Sequence, residues 1–242
     1  MIHLTSVKNP IVQKALKLRK ESSFRQKLGL CVVFKDHLIQ EIARDVPIET
    51  LFTLDPYQKI PAKETFLINK EIFEKIAGVS SLDQMIAICP IPPFIAPKKG
   101  RILVLDRLQD PGNVGTLIRS MEAFGFDSVF FLDEGVDPFN EKVIRSSMGA
   151  VFRIPMFQGD IDALKSLDTL LIGADMEGES IEHFTPPSHF ALVLGHEGQG
   201  LQKNLKPIIQ TVKIPMMPPT ESLNVAQAGA IFLYFLGRSR GL

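Results

Sequence analysis

The sequence has no tryptophan, and only two of its 242 residues are cysteine. Cys31 and Cys89 each sit in an apolar, strand-like stretch with no second Cys or His at metal-ligand spacing. That pattern argues against a disulfide framework or a zinc site, and two buried reduced thiols are expected instead. Net charge is also lacking, because 27 Lys and Arg balance 27 Asp and Glu. Long hydrophobic runs are missing too. The longest, Ala228 to Phe235 with Gly229 inside it, is far short of a membrane span, and the opening MIHLTSVKNPIVQKALKLRK contains no uninterrupted signal-peptide core. A cytoplasmic protein with no membrane partner is the expectation.

What is present is enough to fold. With 45% hydrophobic and 22% charged residues, the chain can bury a sizeable core as one large or two modest domains. The balanced charge is unevenly spread: residues 1–99 hold 15 Lys and Arg against 10 Asp and Glu, and residues 100–242 hold 12 against 17. The excess is sharpest at the start, where Lys8, Lys14, Lys17, Arg19, Lys20, Arg25, Lys27 and Lys35 face Glu21 alone. So dense a basic stretch suits either a phosphate backbone or a solvated helix face.

PIPPFIAPKKG, residues 90–100, holds four prolines and resists both helix and central strand, so it reads as a linker. The expected division is a small α/β domain at 1–92, a linker at 93–100 and a second domain at 101–242. Before the linker, LCVVF, DHLIQEIAR, IETLFTL, TFLINKEIFEKIAGV and MIAICPI alternate short strands with amphipathic helices. After it, RILVLD, SVFFLD, TLLIGAD and ALVLG are apolar strands without polar alternation, separated by helices. These indicate a mostly parallel sheet covered on both faces.

Ligands of parallel sheets sit beyond the carboxyl ends of the strands, and three loops there stand out. In LVLDRLQDPGNVGTLIRSMEAFG, Gly112 and Gly115 are expected to turn the backbone, with a helix from near Thr116 and Arg119 in its first turn. Gly-x-x-Gly is only part of a dinucleotide-binding turn. In ALVLGHEGQGL, a buried strand meets Gly195-His196-Glu197-Gly198-Gln199-Gly200, whose glycines allow close approach of a ligand or another backbone. In IPMMPPTESLNVAQAGAIFLYFLG, Ser222 and Asn224 lie two apart at a helix start, so one can cap while the other faces elsewhere.

Together the three loops resemble the sequence motifs of the SPOUT-class TrmH/SpoU family of RNA 2′-O-methyltransferases. The matching residues are Asp110-Pro-Gly-Asn113-Val-Gly115 with Arg119 and Ala123-Phe-Gly125, then Leu192-Val-Leu-Gly195-x-Glu197-Gly-x-Gly200, then Ile214-Pro-Met216 with Glu221-Ser-Leu-Asn224-Val. Order, spacing and strand context agree over about residues 100–240. The opening LTSVKNPIVQKALKLRKESSFRQKLG also resembles the ribosomal-protein-like RNA-binding domain of the rRNA-modifying branch, although Val33-Phe34-Lys35 stands where that branch often has Val-Glu-Gly.

The resemblance implies a fold that composition does not: a deep trefoil knot in the carboxyl-terminal sheet. It implies S-adenosylmethionine held near Gly195, Ile214 and Leu223, no metal, a homodimer, and RNA as substrate, with rRNA favoured over tRNA. It also implies a site built on Arg119, which would bind a phosphate or the developing alkoxide or relay its proton. Asn113, Asn224, Ser222 and Glu197 would support it. Lys142, Arg145 and Ser147 form a further polar cluster, either an RNA contact or a structural loop. Two departures concern the pocket, Pro218 where glycine is common and His196 where a small residue is usual. Two other readings of the chain are a catalytically silent RNA-binding module and a dinucleotide-dependent enzyme. The missing third glycine of the Gly112 turn disfavours the second.

Overall fold

The computed structural model describes residues 2–78, 82–95 and 100–238. Residues 96–99 of the expected linker lie outside the described residues. Contacts divide the chain into two units: Met1–Pro92 with Phe139–Phe152, and Pro93–Pro138 with Arg153–Leu242. The elements in chain order are β1 (Ile2–Leu4), α1 (Pro10–Lys20), α2 (Ser22–Leu28), β2 (Leu30–Phe34), α3 (Asp36–Ile42), β3 (Thr50–Thr53), β4 (Glu64–Ile68), α4 (Lys70–Ala77) and β5 (Met85–Pro90). They continue with β6 (Arg101–Asp106), α5 (Pro111–Ala123), β7 (Ser128–Leu132), α6 (Glu141–Ser146), β8 (Met156–Gly159), α7 (Ile161–Lys165), β9 (Leu170–Ser180), β10 (Phe190–Leu194), β11 (Gln210–Lys213) and α8 (Val225–Gly237).

The first unit is built on a five-stranded mixed sheet in the order β1-β4-β3-β5-β2. β1 and β3 run parallel to β4, while β5 runs antiparallel to β3 and β2. Its helices start where the sequence supplies a cap. The Asn9 side chain accepts from the N–H of Ile11 ahead of Pro10, and the Asn69 side chain accepts from that of Ile72, which satisfies donors that a helix start leaves unpaired. Val12, Ala15 and Leu18 of α1 join Ile72, Phe73 and Ile76 of α4 in one core with Val32, Phe52 and Ile88 of the sheet. Cys31 and Cys89 face each other across β2 and β5, both buried and neither in a disulfide. Burial pushes the Cys89 thiol up to about 12, so it stays protonated and unreactive at neutral pH.

Several cations of the basic opening are consumed by this fold. Arg25 is 3% exposed and donates to the carbonyl oxygens of Leu18 and Arg19 at 2.7 and 3.1 Å. Arg19 grips Glu141 of α6 with Nε and Nη2 at 2.8 and 3.3 Å, and its Nη1 donates to the Ile76 carbonyl at 3.1 Å. Lys35 pairs with Asp83 at 2.9 Å. Lys17, Lys20 and Lys27 remain on the exposed side of α1 and α2. The cluster after β7 divides likewise: Lys142 and Arg145 are exposed, but Ser147 is fully buried and donates its hydroxyl to the Ile144 carbonyl at 3.1 Å. Ser147 is therefore a structural residue of the α6 turn and not an RNA contact.

The second unit holds a six-stranded sheet in the order β11-β9-β10-β6-β7-β8, parallel throughout. Every residue of β6, β7 and β10 is buried, as strands covered on both faces require. From β6 the chain moves outward to β7 and β8, and then returns to β9 and β10 on the other side. The order therefore reverses between β6 and β10, the place where open parallel sheets bind ligands. The final helix is drawn in tightly: a Cβ on Gly229 would collide with Leu117 of α5 and Leu194 of β10. The helix end is tied back as well, because the buried Arg101 at the start of β6 donates to the Gly237 carbonyl at 2.8 Å.

Candidate active site

Two loops follow the strands at the reversal, residues 107–110 after β6 and residues 195–200 after β10. The first differs from the sequence expectation in where its helix begins. Asp110 accepts from the N–H of Asn113 at 2.8 Å and Pro111 occupies the first helical position, so α5 starts at Pro111 and not near Thr116. An Asx cap followed by proline outweighs the helix-breaking tendency of Gly112 and Gly115, which both lie inside the helix. Arg119 consequently stands beyond the second turn, where the dipole of the helix start has faded. It is exposed and makes no hydrogen bond or ion pair among the described residues.

Glu197 joins the two loops. Its Oε1 accepts from the N–H of Asp110 at 3.3 Å and from Nδ2 of Asn113 at 3.2 Å, and its Oε2 accepts from the N–H of Gln109 at 3.3 Å. Partial burial works to raise the carboxyl pKa. Hydrogen bonds from its own backbone N–H, the Asn113 amide, and the N–H groups of Asp110 and Gln109 outweigh it and hold the group below its usual value of 4.5. Glu197 is therefore an anionic acceptor near neutral pH, a brace more than a base.

The third loop attaches through Asn224. Its Oδ1 accepts from the N–H groups of Ala226 and Gln227 at 2.9 and 3.4 Å, capping α8. With the oxygen so used, Nδ2 is left to donate to Oδ1 of Asn113 at 3.1 Å, and Nδ2 of Asn113 donates onward to Glu197. The cap thus fixes the orientation of both amides, which local density of partners alone decides in such pairs. Asn113, Glu197 and Asn224 form one chain of hydrogen bonds.

Ser222 and Leu223 point elsewhere, as the spacing of the Ser-Leu-Asn run allows. With Ile214 they line a cavity of about 220 Å³ that also includes Asp175, Lys213 and Phe232. Gly195 is not on this wall. A Cβ there would collide with the backbone of Gly200 and Leu201, so its missing side chain lets the loop close on itself, and it is Gly200 that reaches the cavity. His196 likewise serves the loop: its Nδ1 accepts from the Gly198 N–H at 3.0 Å and its carbonyl accepts from the Gly200 N–H at 2.8 Å. The Pro218–Pro219 bond is cis. Asp175 and Lys213 went unnoticed in the sequence, since an acid after TLLIGA and a lysine before Ile214 carry no motif. The one signal is the place of Asp175 at the carboxyl end of the expected strand TLLIGAD.

A family model described as the SpoU rRNA Methylase family matches residues 100–234, the stretch that carries all three loops. The chain belongs to this family. The relative named 23S rRNA (guanosine(2553)-2′-O)-methyltransferase RlmP, from Bacillus subtilis strain 168, is 29% identical over 98% of this chain and 99% of its own length. A structure titled as a putative RNA methyltransferase of the TrmH family from Porphyromonas gingivalis superposes with a TM-score of 0.84 at 26% identity, covering 98% of this chain and all of the other. An AdoMet-bound rRNA methyltransferase from Sinorhizobium meliloti shares the fold at a TM-score of 0.87 and 23% identity, over 99% of this chain and 98% of that one.

Proposed function

We propose that the chain transfers the methyl group of S-adenosylmethionine to a ribose 2′-hydroxyl of ribosomal RNA. The observation that carries this reading is the joining of all three family loops through Asn113, Glu197 and Asn224 beside the cavity lined by Ile214, Ser222 and Leu223. That cavity fits the cofactor chemically. Its apolar wall of Ile214, Leu223 and Phe232 suits a purine, and Asp175 and Lys213 offer one charge of each sign to a zwitterionic amino-acid end. When bound, S-adenosylmethionine supplies a methyl group on a sulfonium, activated for displacement.

The chain's own residues supply alignment and charge. A ribose hydroxyl is a weak nucleophile until its proton departs, so the protein must orient it and stabilise the alkoxide that develops. Arg119, with its guanidinium donors free, binds the neighbouring phosphate or that alkoxide. Asn113 and Asn224, held by Glu197 and by the α8 cap, orient the ribose, and Ser222 lies where cofactor cavity and acceptor meet.

The first unit serves as the substrate RNA-binding domain, with Lys17, Lys20, Lys27, Lys142 and Arg145 as its exposed cations. The family's trefoil knot is supported by the path of the chain, which leaves the sheet edge at β11 and returns to pack α8 on α5 with its end at Arg101. A homodimer is supported by Tyr234 and Phe235, 46% and 36% exposed on α8. Among the described residues no helix is long and apolar enough to cross a membrane.

Mapping 2′-O-methyl positions in total RNA with and without the protein tests the proposal. Loss at one rRNA nucleotide is expected. Loss at a tRNA nucleotide instead would overturn the substrate, and an unchanged map with no calorimetric binding of S-adenosylmethionine would favour the silent RNA-binding module.

A further inference from the structure

We infer that a second cleft, at the carboxyl ends of β6 and β10, is a nucleotide subsite for a residue of the RNA flanking the methylated one. This rests on the proposed RNA methyl transfer. The cleft, about 570 Å³, is lined by Arg107, Gln199, Leu201, Gln202, Lys203 and Asn204 and shares no lining residue with the cofactor cavity except Leu201. Its size lies within the range of small-molecule sites and accommodates a nucleotide.

The floor is built with care. Asp106 is fully buried at the end of β6, and its carboxylate accepts from the Gln202 N–H at 2.9 Å, from Gln202 Nε2 at 2.8 Å and from Arg107 Nε at 2.9 Å. Gln202 Nε2 also donates to Asp133 at 2.8 Å. Arg107 and Asp133, the residues just past β6 and β7, both hold φ of 56°, a left-handed backbone that non-glycine residues adopt at a cost. These turns aim both side chains at the same network, Arg107 at Asp106 and Asp133 at Gln202.

That network spends only one edge of the Arg107 guanidinium. Its two Nη groups make no hydrogen bond among the described residues, and Lys203, Gln199 and Asn204 are exposed around it with their polar ends unpaired. A fixed arginine fork beside a lysine suits a phosphodiester, and two free amides suit the donor and acceptor edge of a base. The Arg107 carbonyl accepts from Gln109 Nε2 at 3.3 Å, and the Gln109 N–H donates to Glu197. The cleft is therefore a direct neighbour of the braced loops, at the reach of an adjoining nucleotide.

Bulk ribosomal RNA from cells lacking the protein, stripped of protein, is the probe for the full chain. Methyl transfer from radiolabelled S-adenosylmethionine and retention of RNA on filters are the two readouts. Arg107→Gln is expected to raise the KM for RNA about tenfold and to weaken retention to match, with the KM for S-adenosylmethionine unmoved. Arg107→Lys, which keeps the charge but loses the fork, should recover part of the loss. An unchanged RNA KM and retention, or a KM for S-adenosylmethionine that rises in step, would overturn the subsite. Should Arg107→Gln fail to fold, a chain carrying Gln199→Ala, Lys203→Ala and Asn204→Ala removes only exposed side chains, and unchanged retention there overturns the proposal equally. Wild-type chain that retains RNA but transfers no methyl group would sink the methylation reading, while the retention difference between variants would still decide the subsite.

Discussion

Arg25 in the first unit is almost wholly buried and uses its guanidinium to hold the carbonyl oxygens at the end of α1, whereas Arg119 in the second unit stands exposed on α5 with no partner among the described residues. The same side chain is part of the fold in one place and free for a ligand in the other. The difference lies in whether its donors are already used, because an arginine whose hydrogen bonds are complete has nothing left to offer a phosphate. Counting cations along a sequence does not separate the two cases.

The comparison breaks most sharply at Arg119. Arg119→Ala is expected to slow methyl transfer about 10²–10³-fold while calorimetry shows cofactor affinity held, and transfer at near wild-type rate would show that this arginine is idle. Arg25→Ala should do the reverse, destabilising the first unit by about 2–3 kcal/mol in denaturant unfolding by orphaning buried carbonyls, with transfer unchanged at low temperature. Asn224 lies between these extremes, since it both caps a helix and orients the site. Asn224→Ala should cost about 1 kcal/mol for the cap together with activity. Asn224→Asp should restore stability but not activity, because the atom facing Oδ1 of Asn113 is then an acceptor. Arg19→Gln, which loosens a partly buried pair with Glu141, is expected to change stability by about 1 kcal/mol.

The smallest effect is the pH dependence of Glu197. Its folded pKa lies below 4.5, so its stabilising contribution is complete above 4.5 and is lost as pH falls through the folded value. Glu197→Gln should flatten that acid limb in thermal melts, and an identical limb in the variant would assign it to other carboxylates.

The parallel sheet was legible in the unbroken apolar strands, and the three loops were legible by resemblance. The start of α5 was not, because Gly112 and Gly115 read as turn residues until the cap at Asp110 is seen to override them. Asp106 and Gln202 were illegible for another reason. They lie far apart in the chain, each is unremarkable in its own segment, and only the pairing of β6 with β10 brings them into contact. Ser147 looked polar and available beside Lys142 and Arg145, yet the turn it closes turns its hydroxyl inward. Local pattern reports the elements, and the sheet order decides which side chains meet.

Residues 139–152 belong with the first unit although they are flanked on both sides by the second. A chain leaving the ribosome therefore cannot finish its amino-terminal unit when residue 92 emerges. The β2 edge waits for α6, and Arg19 waits for Glu141, until the first strands of the second sheet have also been made. Synthesis order and folding order are interleaved, so a pause or truncation between residues 93 and 138 would strand an unfinished unit with its β2 edge uncovered, a state that chaperones and proteases recognise.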